Sequence, residues 1–210
     1  MTNKTTYLLQ HPNVLRHYIL SKIKTRDLTS KYKSDILESE FRTLLEKDSG
    51  YVWFDCCEYI YALIRKYRPK TVVETGIRYG FSSLFILKAL YDNSFGTLYS
   101  IEPEKIIKNS GLVSGWVVRV EYIDRWNIIW DYSYRALPSL LDKLGSIDMF
   151  LHDSEHSVKN MSFEYNLAKK YIKDGFYLSD DSRSYPDFYK QAKKEKAIFY
   201  DRLSVLRVQN

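Results

Sequence analysis

Thr71-Val72-Val73-Glu74-Thr75-Gly76-Ile77-Arg78-Tyr79-Gly80-Phe81-Ser82-Ser83 is where the chain changes character. The β-branched run Thr71-Val72-Val73 suits a buried strand. Gly76 and Gly80 then permit a tight turn and a close approach of ligand to backbone. Residues 82–91 read as a helix, and its unpaired first N–H groups face whatever lies over the turn. The spacing is G-x-x-x-G, so the dinucleotide fingerprint G-x-G-x-x-G is absent, and no Gly-Lys-Ser/Thr follows to make a P-loop. A strand-to-helix turn without a ligand is the competing interpretation.

Downstream the same alternation repeats. Residues 97–101, 126–130, 147–151 and 176–179 read as strands, and 136–144, 158–172 and 187–196 as helices. Residues 197–200 and 203–208 read as a closing hairpin. Strands alternating with helices predict an α/β fold: a Rossmann-like, doubly wound, mostly parallel seven-stranded sheet covered on both faces, ending in an antiparallel hairpin. Upstream, Ile36, Leu37, Phe41, Leu44 and Leu45 recur at helical spacing within residues 1–50. Residues 52–67 read as another helix, with Trp53, Ile60, Leu63 and Ile64 inward and Pro69 as its stop. The expected organisation is an N-terminal helical extension or lid over 1–68 and a ligand-binding α/β domain over 69–210.

Composition bounds the setting. A chain of 210 residues with 45% apolar content can bury a full core. It has no apolar run long enough for a membrane span, and Met1 to Gln10 is polar, unlike a signal peptide. Cys56 and Cys57 are adjacent, which gives neither metal-ligand spacing nor a disulfide framework, so a cytoplasmic protein is expected. The net charge is +6, and Lys4, Arg16, Lys22, Lys24, Arg26, Lys31 and Lys33 face only Asp27 over the first 33 residues. Such a stretch attracts nucleic acid or an acidic small molecule, but is more often a solvated basic face.

Two further stretches carry chemistry. Glu102 ends the strand 97–101 and precedes Pro103, one βαβ unit after the glycine turn. An acid there is placed to accept the hydroxyls of a ribose. Phe150-Leu151-His152-Asp153-Ser154-Glu155-His156-Ser157 mimics the H-x-x-x-H of a zinc-hydrolase helix. That chemistry needs both histidines on one helix face, whereas here His152 ends a strand and the helix begins near His156.

With these motifs in place, residues 70–208 resemble a class I S-adenosylmethionine-dependent methyltransferase of the small-molecule O-methyltransferase-like branch. The resemblance rests on Val73-Glu74-Thr75-Gly76 with Gly80, Ser82 and Ser83, on Ile101-Glu102-Pro103, on Gly115-Trp116-Val117-Val118 and on Arg125 to Ile129. It continues through Ser133 with Leu137-Pro138, through Ile147 to Ser157, and through Gly175 with Leu178-Ser179-Asp180-Asp181. It implies a cofactor site of Glu74, Gly76, Arg78, Gly80, Ser82, Ser83, Glu102 and Asp153, with the adenine contact open among Asp131, Tyr132 and Ser133. It also makes the fourth and fifth strands neighbours, so Asp153, Asp180 and Asp181 converge. Three carboxylates repel unless a cation joins them, and oxygen ligands favour Mg²⁺. The alternative is that they cap the following helix and turn. Asp153 together with Glu155 or His156 would be the catalytic set, either of the latter pair taking the acceptor's proton. His152 is expected to be structural.

The expected activity is S-adenosylmethionine-dependent O-methylation of a small molecule, with Mg²⁺ as an optional cofactor and the N-terminal region as lid or homo-oligomer contact. A nucleic-acid methyltransferase and a non-catalytic cofactor-binding protein of the same fold are the alternatives. No Asn/Asp-Pro-Pro-Tyr motif supports the first, and the intact Glu74, Gly76, Gly80 and Glu102 set speaks against the second.

Overall fold

A computed structural model describes residues 28–32, 54–200 and 202–209. The helical face expected at Ile36 to Leu45, and most of the predicted extension, lie outside the described residues. The chain runs α1 (Phe54–Tyr67), β1 (Thr71–Thr75), α2 (Phe81–Asp92), β2 (Thr97–Ile101) and β3 (Trp126–Ile129). It continues through α3 (Ser133–Leu144), β4 (Ile147–His152), α4 (Val158–Tyr171), β5 (Ile172–Ser179), α5 (Pro186–Lys194), β6 (Ile198–Tyr200) and β7 (Leu203–Gln209).

The seven strands form one sheet in the order β3-β2-β1-β4-β5-β7-β6. β1 to β5 are parallel, and β7 is antiparallel to both of its neighbours. The predicted closing hairpin is present, but β7 sits between β5 and β6, so the hairpin folds back into the sheet. From β1 the chain winds outward to β2 and β3, then returns to place β4 on the other side of β1. Ligands of such sheets bind beyond the carboxyl ends of the strands at that reversal.

The strand period of two sorts the core into two layers. Val72, Leu98, Met149, Leu151, Phe176 and Leu178 face α1 and α2. Val73, Ile101, Phe150 and Tyr177 face α3, α4 and α5. α2 packs in the same layer as α1 against the sheet and is buried from Ser82 to Leu90, which explains its nearly all-apolar sequence. α1 buries Cys56, Cys57, Ile60, Leu63 and Ile64 in the same layer. This end of the predicted extension is therefore part of the packed body.

Element ends differ from expectation where local signals are weak. α3 begins at Ser133, three residues before the expected 136, and carries Pro138 inside it. α5 begins on Pro186, whose fixed φ and missing N–H suit a first helical position. β5 begins at Ile172, four residues before the expected 176, because its exposed Lys173 and Asp174 hide the strand from an apolar pattern. No helix among the described residues is long and apolar enough to cross a membrane.

Candidate active site

The alternation that sorts the core also aims the polar residues at the strand ends. Glu74 shares the α2 side with Val72. It is fully buried, and its carboxylate accepts hydrogen bonds from Ser82 Oγ at 2.6 Å, Ser83 Oγ at 2.6 Å and Ser100 Oγ at 2.8 Å. Burial is the main cause that raises its carboxyl above the usual range, against the three hydroxyls that lower it. Glu74, Ser82 and Ser83 were expected at the cofactor. The structure instead places them beneath the glycine turn, where they tie β1 and β2 to the start of α2.

The glycine turn needs its glycines for two different reasons. Gly76 has φ +87°, and a Cβ there would lie 2.1 Å from the Asp153 carbonyl oxygen. Gly80 has φ +90°, and a Cβ there would lie 2.7 Å from Gly115 Cα. Gly80 thus packs on protein backbone, and its glycine is required there for close approach to Gly115.

Above the turn lies a cavity of about 540 Å³, lined by Gly76, Arg78, Glu102, Tyr132, Ser133 and Asp153 together with Tyr134, Ser154, Glu155, Asn160 and the segment after Glu102. Glu102 is nearly buried at its wall. Its Oε2 accepts from Ile77 N at 2.8 Å and Arg78 N at 3.0 Å, and its Oε1 accepts from Glu104 N at 3.0 Å. These bonds lock the turn to the end of β2, and Oε1 keeps acceptor capacity for a ligand hydroxyl. Of the three residues left open for the far wall, Tyr132 and Ser133 reach the cavity. Asp131 does not: it accepts from Tyr132 N at 2.7 Å and pairs with Arg135 at 3.2 Å. Tyr134, stacked on Tyr132 with centroids 5.5 Å apart, had no sequence signal.

On the opposite face of the sheet, Thr75 and His152 point toward α4 and meet Glu164, which sequence reasoning missed. Its carboxylate accepts from Thr75 Oγ1 at 2.6 Å, Ser154 Oγ at 2.8 Å and Asn160 Nδ2 at 3.0 Å, and meets His152 Nδ1 at 2.7 Å. Burial alone would raise this carboxyl. The hydrogen bond and charge of His152, with Ser133 and Thr75, outweigh burial and hold it below its usual range. His152 is fully buried and structural, as expected. The hydrolase mimic fails on backbone, since His152 ends β4 and α4 begins at Val158.

Beyond the cavity, the ends of β4 and β5 bring Asp153, His156, Asp180 and Asp181 together. His156 Nε2 lies 3.9 Å from Asp153 Oδ1 and from Asp180 Oδ2, and its Nδ1 lies 3.8 Å from Asp181 Oδ2. Asp153, His156 and Asp180 each offer a ligand atom within 4.8 Å of the others. Asp181, expected as the third metal ligand, falls outside that triangle. Asp153 does not cap α4, since the cap is Ser157, whose Oγ accepts from Asn160 N at 3.2 Å, and Asp181 precedes the 182–184 turn without a side-chain cap bond. Burial, then the charge of Asp180, raises the Asp153 carboxyl well above the usual range. Burial also raises Asp180, to about 6, against the pull of Arg202. His156 is lowered to about 4 by burial and then by His152, so it is neutral near pH 7. Glu155 is exposed on the cavity rim. Asp153 borders both the cavity and the acidic cluster.

A family profile described as a methyltransferase domain matches residues 73–182. No curated protein matches the chain by sequence. Among solved structures, a putative caffeoyl-CoA O-methyltransferase from Staphylococcus aureus is 17% identical, with 91% of this chain and 100% of that chain covered and a TM-score of 0.64. TomG, an O-methyltransferase from Streptomyces achromogenes involved in tomaymycin synthesis and solved with S-adenosylmethionine, is 16% identical, with 85% and 92% covered and a TM-score of 0.60. MycE, a methyltransferase of the mycinamycin pathway solved with Mg and S-adenosylhomocysteine, is 15% identical with a TM-score of 0.60. The match covers 85% of this chain, which spans only 54% of the MycE chain. At these identities the likeness is one of fold.

Proposed function

The chain belongs to the methyltransferase-domain family, and from that premise we propose that it moves the methyl group of S-adenosylmethionine to a hydroxyl of a small molecule beside a divalent cation. The observation that carries this reading is that one residue, Asp153, borders both the ligand-sized cavity and the acidic cluster. A donor in the cavity and an acceptor at the cluster would meet there.

The cavity fits the cofactor. Gly76 presents bare backbone at the cavity wall, Glu102 offers a carboxylate for the ribose hydroxyls, and Tyr132 and Tyr134 offer aromatic area for the base. Arg78 on the rim suits the carboxylate end. The cofactor supplies a methyl group already activated on a sulfonium, so orientation of the acceptor contributes much of the acceleration.

The cluster fits a cation. Asp180 Oδ1 is buried with no hydrogen-bond partner among the described residues, and burial, opposed by Arg202, raises the Asp153 and Asp180 carboxyls. Asp153 and Asp180 would hold the ion, with Asp181 as a further carboxylate. A bound divalent ion lowers the pKa of an oxygen it holds. His156, neutral and beside the two acids, takes the acceptor's proton at Nε2 and is favoured over the exposed Glu155 as base.

The buried thiols of Cys56 and Cys57, which form no disulfide, support a cytoplasmic setting. The N-terminal extension expected over residues 1–68 is the candidate lid or homo-oligomer contact, and the acceptor is read as a small molecule on the likeness to small-molecule O-methyltransferases.

The test uses methyl-labelled S-adenosylmethionine and a panel of phenols, catechols and sugar hydroxyls. Turnover should fall in chelator and return with Mg²⁺. His156→Ala should lose about 100-fold in turnover while retaining Mn²⁺ binding measured by electron paramagnetic resonance. Full turnover in excess chelator would remove the cation from the reading. Loss of Mn²⁺ binding in His156→Ala would make His156 a ligand and not the base.

A further inference from the structure

Arg202 stands in the turn between β6 and β7. Ser204 of β7 pairs with Ser179 of β5 in antiparallel register. Following that register two residues further along each strand sets Arg202 opposite Asp181, so the strand pairing delivers a cation to the acidic cluster. Its Nη2 lies 2.7 Å from Asp180 Oδ2 and 2.5 Å from Asp181 Oδ2. These are charge-assisted contacts of the strong kind. They are sheltered as well, with the Arg202 side chain 21% exposed and that of Asp180 only 4%.

Asp180 Oδ2 therefore has two claimants. It is held by the guanidinium, and it is 3.9 Å from His156 Nε2 in the triangle that could enclose an ion. Asp181 has its Oδ2 on the guanidinium and stands outside the triangle. A divalent ion and a guanidinium repel one another and cannot use the same oxygen lone pairs.

We propose that Arg202 is the resident counter-cation of this site and competes with the divalent ion for Asp180 and Asp181, so that it sets the metal affinity. The inference rests on the reading of the cluster as cation-holding. In the absence of metal, Arg202 keeps the neighbouring acids from repelling and holds the end of β5 in place. When metal enters, the guanidinium gives up Asp180, and Asp181 becomes available to the ion only as Arg202 leaves it.

The experiment is a Mn²⁺ titration of the full chain followed by electron paramagnetic resonance, with the metal alone as probe. Arg202→Gln removes the positive charge but keeps a polar side chain. It should bind Mn²⁺ about tenfold more tightly or better, since a unit charge a few ångströms away in a sheltered site acts at reduced dielectric. Its metal-free melting temperature should fall below that of the natural chain and recover as Mn²⁺ is added. Arg202→Lys, which keeps the charge but cannot bridge two carboxylates as a guanidinium fork does, should fall between the two, and it keeps the test decisive if the glutamine variant does not fold. Equal or weaker Mn²⁺ binding in both variants would overturn the competition while leaving the metal site standing. No Mn²⁺ binding by the natural chain or either variant would overturn it together with the cation reading, whereas binding of S-adenosylhomocysteine would still separate that failure from failure of the methyl-transfer reading.

Discussion

Gly76→Ala should abolish binding of S-adenosylhomocysteine and lower the melting temperature of the protein. The position has φ +87°, where an L side chain is strained, and the added Cβ would lie 2.1 Å from the carbonyl oxygen of Asp153. The strain and the forced shift of backbone together cost about 2–5 kcal/mol, a drop of roughly 5–15 °C for a chain of this size. The shift opens the seam between β1 and β4, where Asp153 N donates to Thr75 O at 2.9 Å. That seam is the floor of the cavity, so affinity should fall by about 100-fold or more. Gly145→Ala is the control. It has φ +70° but meets nothing within 4 Å, so it should cost only about 1 kcal/mol of strain and leave binding unchanged. Calorimetry and thermal melts of the two variants check this. Normal binding in Gly76→Ala would mean that the ligand does not lie over this turn.

Glu164→Ala, on α4, should be strongly destabilising. The carboxylate is fully buried and serves Thr75, Ser154, Asn160 and His152. Truncation leaves those groups buried without an acceptor, at a cost of about 3–5 kcal/mol in urea unfolding. Because the folded carboxyl is held below its ordinary 4.5, its stabilisation is fully present above that value and is lost as pH falls through the lowered one. The stability gap between the natural chain and Glu164→Gln should therefore be constant above about pH 5 and shrink in more acidic buffer. A loss below about 1 kcal/mol would mean that water replaces the missing acceptor.

How much of this was legible before the structure depends on sequence distance. The βαβ order, the glycine turn and Glu102 are local signals, each carried by a few consecutive residues, and the structure has them where the pattern placed them. The roles of Glu74, Ser82 and Ser83 were not legible. A strand-end acid followed by serines reads the same whether it faces a ligand or closes a network, and the deciding partner, Ser100, lies on another strand. Glu164 was hidden for a related reason: it sits on α4, 89 residues after Thr75, and nothing in the local pattern marks an inward acid. The place of β7 between β5 and β6 is likewise a matter of long-range pairing, and Arg202 follows from that register and no motif. Asp153, Asp180 and Asp181 were found because each ends a strand in a parallel sheet. That Arg202 would hold Asp181 away from the triangle could be seen only with β7 in place.

The central claim is that the cavity above Gly76 holds S-adenosylmethionine with Glu102 at the ribose. Isothermal titration of the full chain with S-adenosylhomocysteine, run in parallel on Glu102→Ala, tests it most directly. Saturable binding at a single site is expected, with a loss of about tenfold or more in Glu102→Ala, roughly 1.4 kcal/mol per tenfold, from removal of charge-assisted acceptors. Absence of heat at millimolar ligand with the natural chain, or equal affinity in a folded Glu102→Ala protein, would contradict it.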